Sequence, residues 1–211
     1  LKHLQPFLFS ALSPLTPKLN VTAPTQLLWA IVGLILTIGG TLLEAFIASP
    51  FSLWGQAPAY SLGVSCQIGA VLLVGCLGGK NAAVISQVAY LLLGLTSWFN
   101  VFTHGGGLDY VHRPSFGYLL GFIPGAWICG LLAFWLPVRL EHLALSCLGG
   151  LLTIHLVGIG YLLTADYFHW AGQVSVLQAI VTYSLNPLAG QMAIVCAVAV
   201  LAFGLRRLMF Y

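Results

Sequence analysis

Apolar residues in this chain come in long unbroken runs. They do not form the one-sided stripe of a soluble helix. A membrane span needs about 20 consecutive apolar residues. The runs predict six transmembrane helices: Leu27–Ala48, Leu62–Leu77, Ala82–Leu95, Gly117–Leu136, Leu140–Leu163 and Pro187–Leu208. The second and third are short and meet at Gly78-Gly79, which predicts tilted helices or ends capped by buried backbone. Residues 173–185 predict a further helical segment leading to Pro187, a residue suited to opening a helix. The runs lack the polar–apolar alternation of a membrane β-barrel. The expected fold is therefore all-α, a polytopic bundle of six transmembrane helices spanning residues 27–211.

Composition sharpens this expectation. Of 211 residues, 60% are hydrophobic and only 5% charged, against roughly a quarter charged in soluble domains. Ahead of the first run, Pro6, Pro14, Pro17 and Pro24 break the chain, and no cleavable signal peptide is recognisable. Residues 1–26 are expected to form a segment lying along the membrane surface through Leu4, Phe7, Leu8, Phe9, Leu12 and Leu15. With both termini placed in the cytoplasm, Lys2, Lys18, Lys80, Arg139, Arg206 and Arg207 fall inside, and Arg113 alone among basic residues falls outside with Glu44, Asp109 and Asp166. That asymmetry follows the positive-inside rule. It predicts that the loops at 49–60, 104–116 and 164–174 are external. Cys66, Cys76, Cys129, Cys147 and Cys196 all lie in apolar stretches without a CxxC pair. They read as small buried hydrophobes, with no support for a disulfide framework or a zinc site.

The chemistry concentrates between the third and fourth runs. Gly105, Gly106 and Gly107 free the backbone. Tyr110, Phe116, Tyr118 and Phe122 offer flat faces, the two tyrosines with hydroxyl handles. Arg113 offers a forked cation suited to a carboxylate. Together they suit a lid over a small, flat, partly apolar anion, above a cavity lined by the third, fourth and sixth spans. The plainer reading is a tight connection whose aromatics sit at the headgroup level.

The run Gly106-Gly107-Leu108-x-Tyr110-x-x-x-Pro114-Ser115-x-Gly117-Tyr118-Leu119-x-Gly121-Phe122 resembles the most characteristic motif of the BioY family. These are the biotin-binding, membrane-embedded S components of energy-coupling-factor (ECF) transporters. Pro58-Ala59-Tyr60-Ser61-Leu62, Gln67, Gly75, Gly79-Lys80 and Tyr90-Leu91-Leu92-Leu93-Gly94-Leu95 resemble the same family's second and third spans. The likeness covers roughly residues 27–208. It implies an S-component fold, biotin as transported ligand, and partners in a transmembrane coupling subunit and ATPase subunits. It also implies a prokaryotic inner (plasma) membrane.

The departures are specific. The family enters its last span through Pro-Gly-Asp-x-x-Lys. Alignment on Gly190 puts Gln191 at the aspartate and Ile194 at the lysine. Gln191 can still hydrogen-bond a ureido group, and Ile194 cannot. Asp109, Arg113 and Phe116 stand where the family usually has glycine. Gly33, Thr37 and Thr41 supply a loose version of the small-residue stripe that packs on the coupling subunit.

Other polar residues fall in or beside the apolar runs. His155 lies in the external half of the fifth span, where an ionisable group suggests ligand contact or axial ligation of a tetrapyrrole metal. The plainer reading is a neutral histidine bonded to a neighbouring helix. Asn186 and Gln191 are expected in the pocket, since buried amides are costly unless bonded. Glu44, His104 and His112 read as interfacial. No acid pair, nucleophile with base, or Walker loop appears, so the chain is expected to be neither an enzyme nor an ATPase. Nothing points to nucleic acid. The candidate ligand residues are Gly106, Gly107, Tyr110, Arg113, Tyr118, Asn186 and Gln191, with His155 as a ligand or pigment contact. The leading expectation is vitamin capture, most readily of biotin. The alternative is a BioY-like fold reused as a non-transporting subunit or assembly factor of a larger complex, with pigment and other membrane subunits as partners in a thylakoid membrane.

Overall fold

Where no water reaches the backbone, the chain must satisfy its peptide groups internally, and the apolar runs do so as helices. The computed structural model describes residues 23–48, 59–96, 100–103, 105–168 and 175–209. The expected surface segment over residues 1–22, His104 and most of the loops at 49–60 and 164–174 lie outside the described residues. Helix α1 (Ala23–Leu42) leads into strand β1 (Glu44–Ala48). Strand β2 (Ala59–Ser65) leads into α2 (Gln67–Leu95). The glycine-rich connection then enters α3 (Phe116–Trp135), followed by α4 (Leu140–Tyr167). A short α5 (Val176–Ile180) widens into a π turn, Val181–Leu185, ahead of α6 (Leu188–Met209).

Two features differ from the sequence expectation. First, the ends of the first two predicted spans are strands. Glu44 pairs with Ser65, Phe46 with Ser61 and Ile47 with Tyr60, antiparallel, with a bulge between Glu44 and Phe46. The cause is legible afterwards: Leu62 and Val64 alternate with Ser61, Gly63 and Ser65, the period-two pattern of a strand with one face inward. Second, among the described residues five continuous apolar helical runs are long enough to cross a membrane, where six spans were predicted. The difference lies in α2, whose helix passes through both short predicted spans with only Gly79 out of helical geometry, at φ 78° and ψ 174°.

That one residue reverses the chain. Gln67 Nε2 donates to Tyr90 Oη at 2.9 Å. In a straight helix, residues this far apart would be separated by about 34 Å. The arms at 67–78 and 80–95 therefore lie antiparallel, folded at Gly79. Backbone with φ near 80° and ψ near 180° is open essentially only to glycine. α1 packs along both arms: Gly33 against Val74 and Ser86, and Gly78 against Trp29.

α3 and α4 approach closely because Gly117, Gly121 and Gly125 recur every four residues. A Cβ at Gly121 would sit 2.8 Å from the Ile154 carbonyl oxygen, and one at Gly117 would meet the Tyr161 side chain. This is the small-residue ladder of membrane helix pairs. α6 packs on the first arm through Ile194 at Gly69. The stripe of Gly33, Thr37 and Thr41 is buried inside the chain, where Thr37 Oγ1 accepts from Gln87 Nε2 at 3.1 Å. It is not presented outward for a partner. The outward face of α1 carries Leu27, Leu28, Ile31 and Ile35.

The charges sort to two ends. Lys80 lies at the fold of α2, its Nζ 6.0 Å from the Trp127 ring. The backbone at Lys80 touches Gly130. Arg206 donates to the carbonyl oxygen of Ala133 at 2.6 Å, and Arg139 caps the start of α4. Glu44, Asp109, Arg113 and Asp166 belong to the opposite end.

Candidate functional site

The glycine-rich connection is a folded cap. Gly107 N–H donates to the Gly94 carbonyl at 2.9 Å, and Phe102 and Gly105 exchange backbone bonds at 3.1 Å. Gly105 and Gly107 hold φ of 117° and 90°, values that favour glycine. The 3-10 turn Leu108–His112 follows. It drives Tyr110 inward, where its ring lies 4.7 Å from Phe102 and 6.5 Å from Phe116. Phe102 in turn meets Tyr90 at 5.4 Å, and Tyr161 Oη donates to the Val111 carbonyl. Aromatic rings thus fill the space directly below the cap. Gly106 is half-buried. Arg113 is exposed and lies over the Tyr110 ring at 5.2 Å, a cation–π geometry that holds the guanidinium at the rim.

A polar cluster lies deeper, between α3, α4 and the head of α6. Tyr118 Oη and Ser184 Oγ are 2.6 Å apart. His155 Nδ1 is 3.1 Å from Ser184 Oγ, and Nε2 is 2.7 Å from Gln191 Oε1. The amide oxygen only accepts, so Nε2 carries the proton and donates to it. Ser184 Oγ bridges Nδ1 and Tyr118 Oη, so the four side chains form one connected chain of hydrogen bonds. Its surroundings explain the placement. The π turn adds a residue to the helical repeat, Asn186 N–H bonding Val181 O at 2.9 Å, and this turns Ser184 toward His155. Gly158 leaves room for the Tyr118 ring, which would otherwise meet a Cβ at 2.5 Å. Tyr118 also lies 5.8 Å from the imidazole and 5.9 Å from Tyr183.

A second buried polar group joins α1 to the arms of α2. Tyr90 Oη receives Gln67, lies 3.3 Å from Thr41 Oγ1 and donates to the Val101 carbonyl at 3.1 Å. Beside it, Gln87 Oε1 is buried without a hydrogen-bond partner among the described residues. These amides stand within apolar runs, and that alone could have marked them as candidates.

The sequence-predicted residues therefore separate. Tyr118, His155 and Gln191 come together with Ser184, which sequence reasoning missed. Gly106, Gly107, Tyr110 and Arg113 form the cap. Asn186 does not join either group: it is exposed at the entry to α6. Both imidazole nitrogens of His155 are engaged, so axial ligation of a metal would first require breaking one of these bonds. A cleft of about 740 Å³ runs between α1, the β-hairpin, the first arm of α2 and α6. It is lined by Leu36, Phe46, Leu62, Leu73 and Ile194, with Glu44 at its edge. It is not the cavity expected below the cap, because aromatic packing fills that space. β2 borders both regions: the Leu62 carbonyl would lie 2.7 Å from a Cβ at Gly190, next to Gln191.

A model of the BioY family matches residues 16–210. An uncharacterized 21.2 kDa protein of Cyanophora paradoxa, from its psbX-ycf33 intergenic region, is 27% identical over 198 residues, 90% of this chain and 100% of that one. A probable biotin transporter BioY of Lysinibacillus sphaericus is 35% identical over 127 residues, 59% of this chain and 60% of that one. The crystal structure of the S-component for biotin from an ECF-type ABC transporter superposes with a TM-score of 0.63 at 19% identity, over 88% of this chain and 94% of that one. At that identity the likeness shows a shared fold.

Proposed function

Because the chain belongs to the BioY family, we propose that it is a membrane-embedded capture component for biotin, serving uptake rather than catalysis. The observation that carries this reading is the hydrogen-bonded chain Tyr118–Ser184–His155–Gln191 below a folded glycine cap. A ureido ring presents two N–H donors and one carbonyl. Gln191 offers an amide acceptor and donor, and Tyr118 offers a hydroxyl beside an aromatic face. Entry of such a ring would exchange one of these internal bonds for a ligand bond, so little hydrogen bonding is lost on binding. Arg113 at the rim suits the valerate carboxylate. It supplies the cation that Ile194 does not.

The chain is a multi-pass membrane protein, and we place it in a prokaryotic plasma membrane with both termini cytoplasmic. The end bearing Lys80, Arg139, Arg206 and Arg207 would face inward. Energy would come from a transmembrane coupling subunit and ATPase subunits. With the small-residue stripe of α1 buried, the coupling subunit would meet the outward apolar face of α1. Reuse as a non-transporting subunit of a pigment-bearing complex has no observation in its favour. Titration of the purified protein with biotin tests the reading. We expect saturable binding at one biotin per chain, weakened at least about tenfold in Gln191→Ala. Absence of binding by the intact protein, including after Gln191→Asp and Ile194→Lys are introduced together, would sink it.

A further inference from the structure

Three of the five cysteines meet at one point in the bundle. Cys76 from the first arm of α2, Cys129 from α3 and Cys147 from α4 are wholly buried. Their sulfurs lie 3.7 Å apart for Cys76 and Cys129, and 3.5 Å for Cys76 and Cys147, and all three lie within 4.8 Å of one another. Three sulfurs about one metal at about 2.3 Å would stand about 4 Å apart in a trigonal plane. The thiols already hold that spacing to within a fraction of an ångström. The helices are built to bring them there. Glycines flank Cys129 on both sides: a Cβ at Gly75 would meet it at 3.2 Å and one at Gly150 at 2.9 Å.

The donor set selects the ion. No histidine or carboxylate joins the three thiols among the described residues, so a tetrahedral zinc site would lack its fourth protein ligand. Thiolates favour soft cations, and a monovalent one is content with three of them. Charge points the same way. Thiolates around a monovalent ion leave net negative charge, and a buried cation stands close. Arg206 donates to Ala133, one turn along α3 from Cys129, and its Nε has no hydrogen-bond partner among the described residues. The cluster lies one turn from the fold of α2 at Gly79, beside the exposed Lys80, which gives a short route from the charged end of the bundle.

We propose that Cys76, Cys129 and Cys147 form a three-thiolate binding site for a soft monovalent cation, with cuprous ion as its physiological occupant. Binding replaces the thiol protons with the metal and releases them to solvent, without change of oxidation state. The test is anaerobic titration of the reduced, detergent-solubilised protein with Cu(I) against a chromophoric Cu(I) chelator. X-ray absorption of the loaded protein completes the measurement. We expect one copper per chain and a shell of sulfur alone at about 2.3 Å. Cys129→Ser and Cys147→Ser should each lower copper affinity at least a hundredfold while keeping the wild-type elution profile. Cys66→Ser and Cys196→Ser, outside the cluster, should leave it unchanged. Failure of the unmodified protein to take up stoichiometric copper would overturn the site, as would nitrogen or oxygen in the metal shell. Zinc binding more tightly than Cu(I) would overturn the three-coordinate assignment. The unmodified protein decides these outcomes even where a serine variant does not fold.

Discussion

The imidazole of His155 is fixed at both nitrogens in a region without bulk water, so its loss strands two partners. Replacing it with phenylalanine leaves Gln191 Oε1 and Ser184 Oγ without their imidazole partners. A buried polar group left unpaired costs about 1–3 kcal/mol. His155→Phe should therefore lower the thermal midpoint in detergent, and His155→Gln should recover part of the loss. Equal midpoints in the phenylalanine variant and the parent would show that the cluster is not stabilising. At the rim, Arg113→Ala should weaken biotin binding by at least about tenfold and Arg113→Lys by less, read by titration. Unaltered binding in Arg113→Ala would remove the cation from the site. Single residues were legible in the sequence where they broke an apolar run, as His155 and Gln191 do. Ser184 was not, since serine is unremarkable in a membrane helix and its direction depends on the π turn. The cysteine cluster was not legible either, because its members stand 53 and 71 positions apart and carry no spacing signature.

At the scale of elements, helices were readable and their ends were not. The boundaries of α3, α4 and α6 follow the hydrophobic runs closely, because lipid-like surroundings leave helix as the default. The β-hairpin was lost inside two apolar runs, although β2 alternates. The cap was readable as glycine-rich, but its closure is tertiary. Gly94 is the element-scale test. A Cβ there would lie 2.1 Å from the Phe102 ring, in the middle of the aromatic cluster beneath the cap. Gly94→Ala should displace Phe102 and Tyr110, raise hydrogen exchange across residues 100–115, and weaken biotin binding without changing the helical content. Unchanged exchange in that segment would show that the cap does not depend on this contact.

For the whole molecule, the two charged ends make a statement about sidedness. A single cysteine at position 80 should react with a membrane-impermeant reagent only after permeabilisation of cells, and one at the exposed position 109 should react in intact cells. The reverse pattern would invert the bundle. What the sequence misjudged at this scale is how two of the apolar runs are joined. Two short apolar runs promised two separate spans, and the structure joins them in α2 through Gly79. The joint has a consequence for biogenesis. Arms of about 12 and 16 residues reach only about 18 and 24 Å as helix, each below the length a lone segment needs to settle across a bilayer. Neither arm is an insertion unit by itself. They must leave the translocation machinery as a pair already folded on Gly79, so a chain arrested after the first arm should remain extractable by alkaline carbonate, and one arrested after the second should resist it.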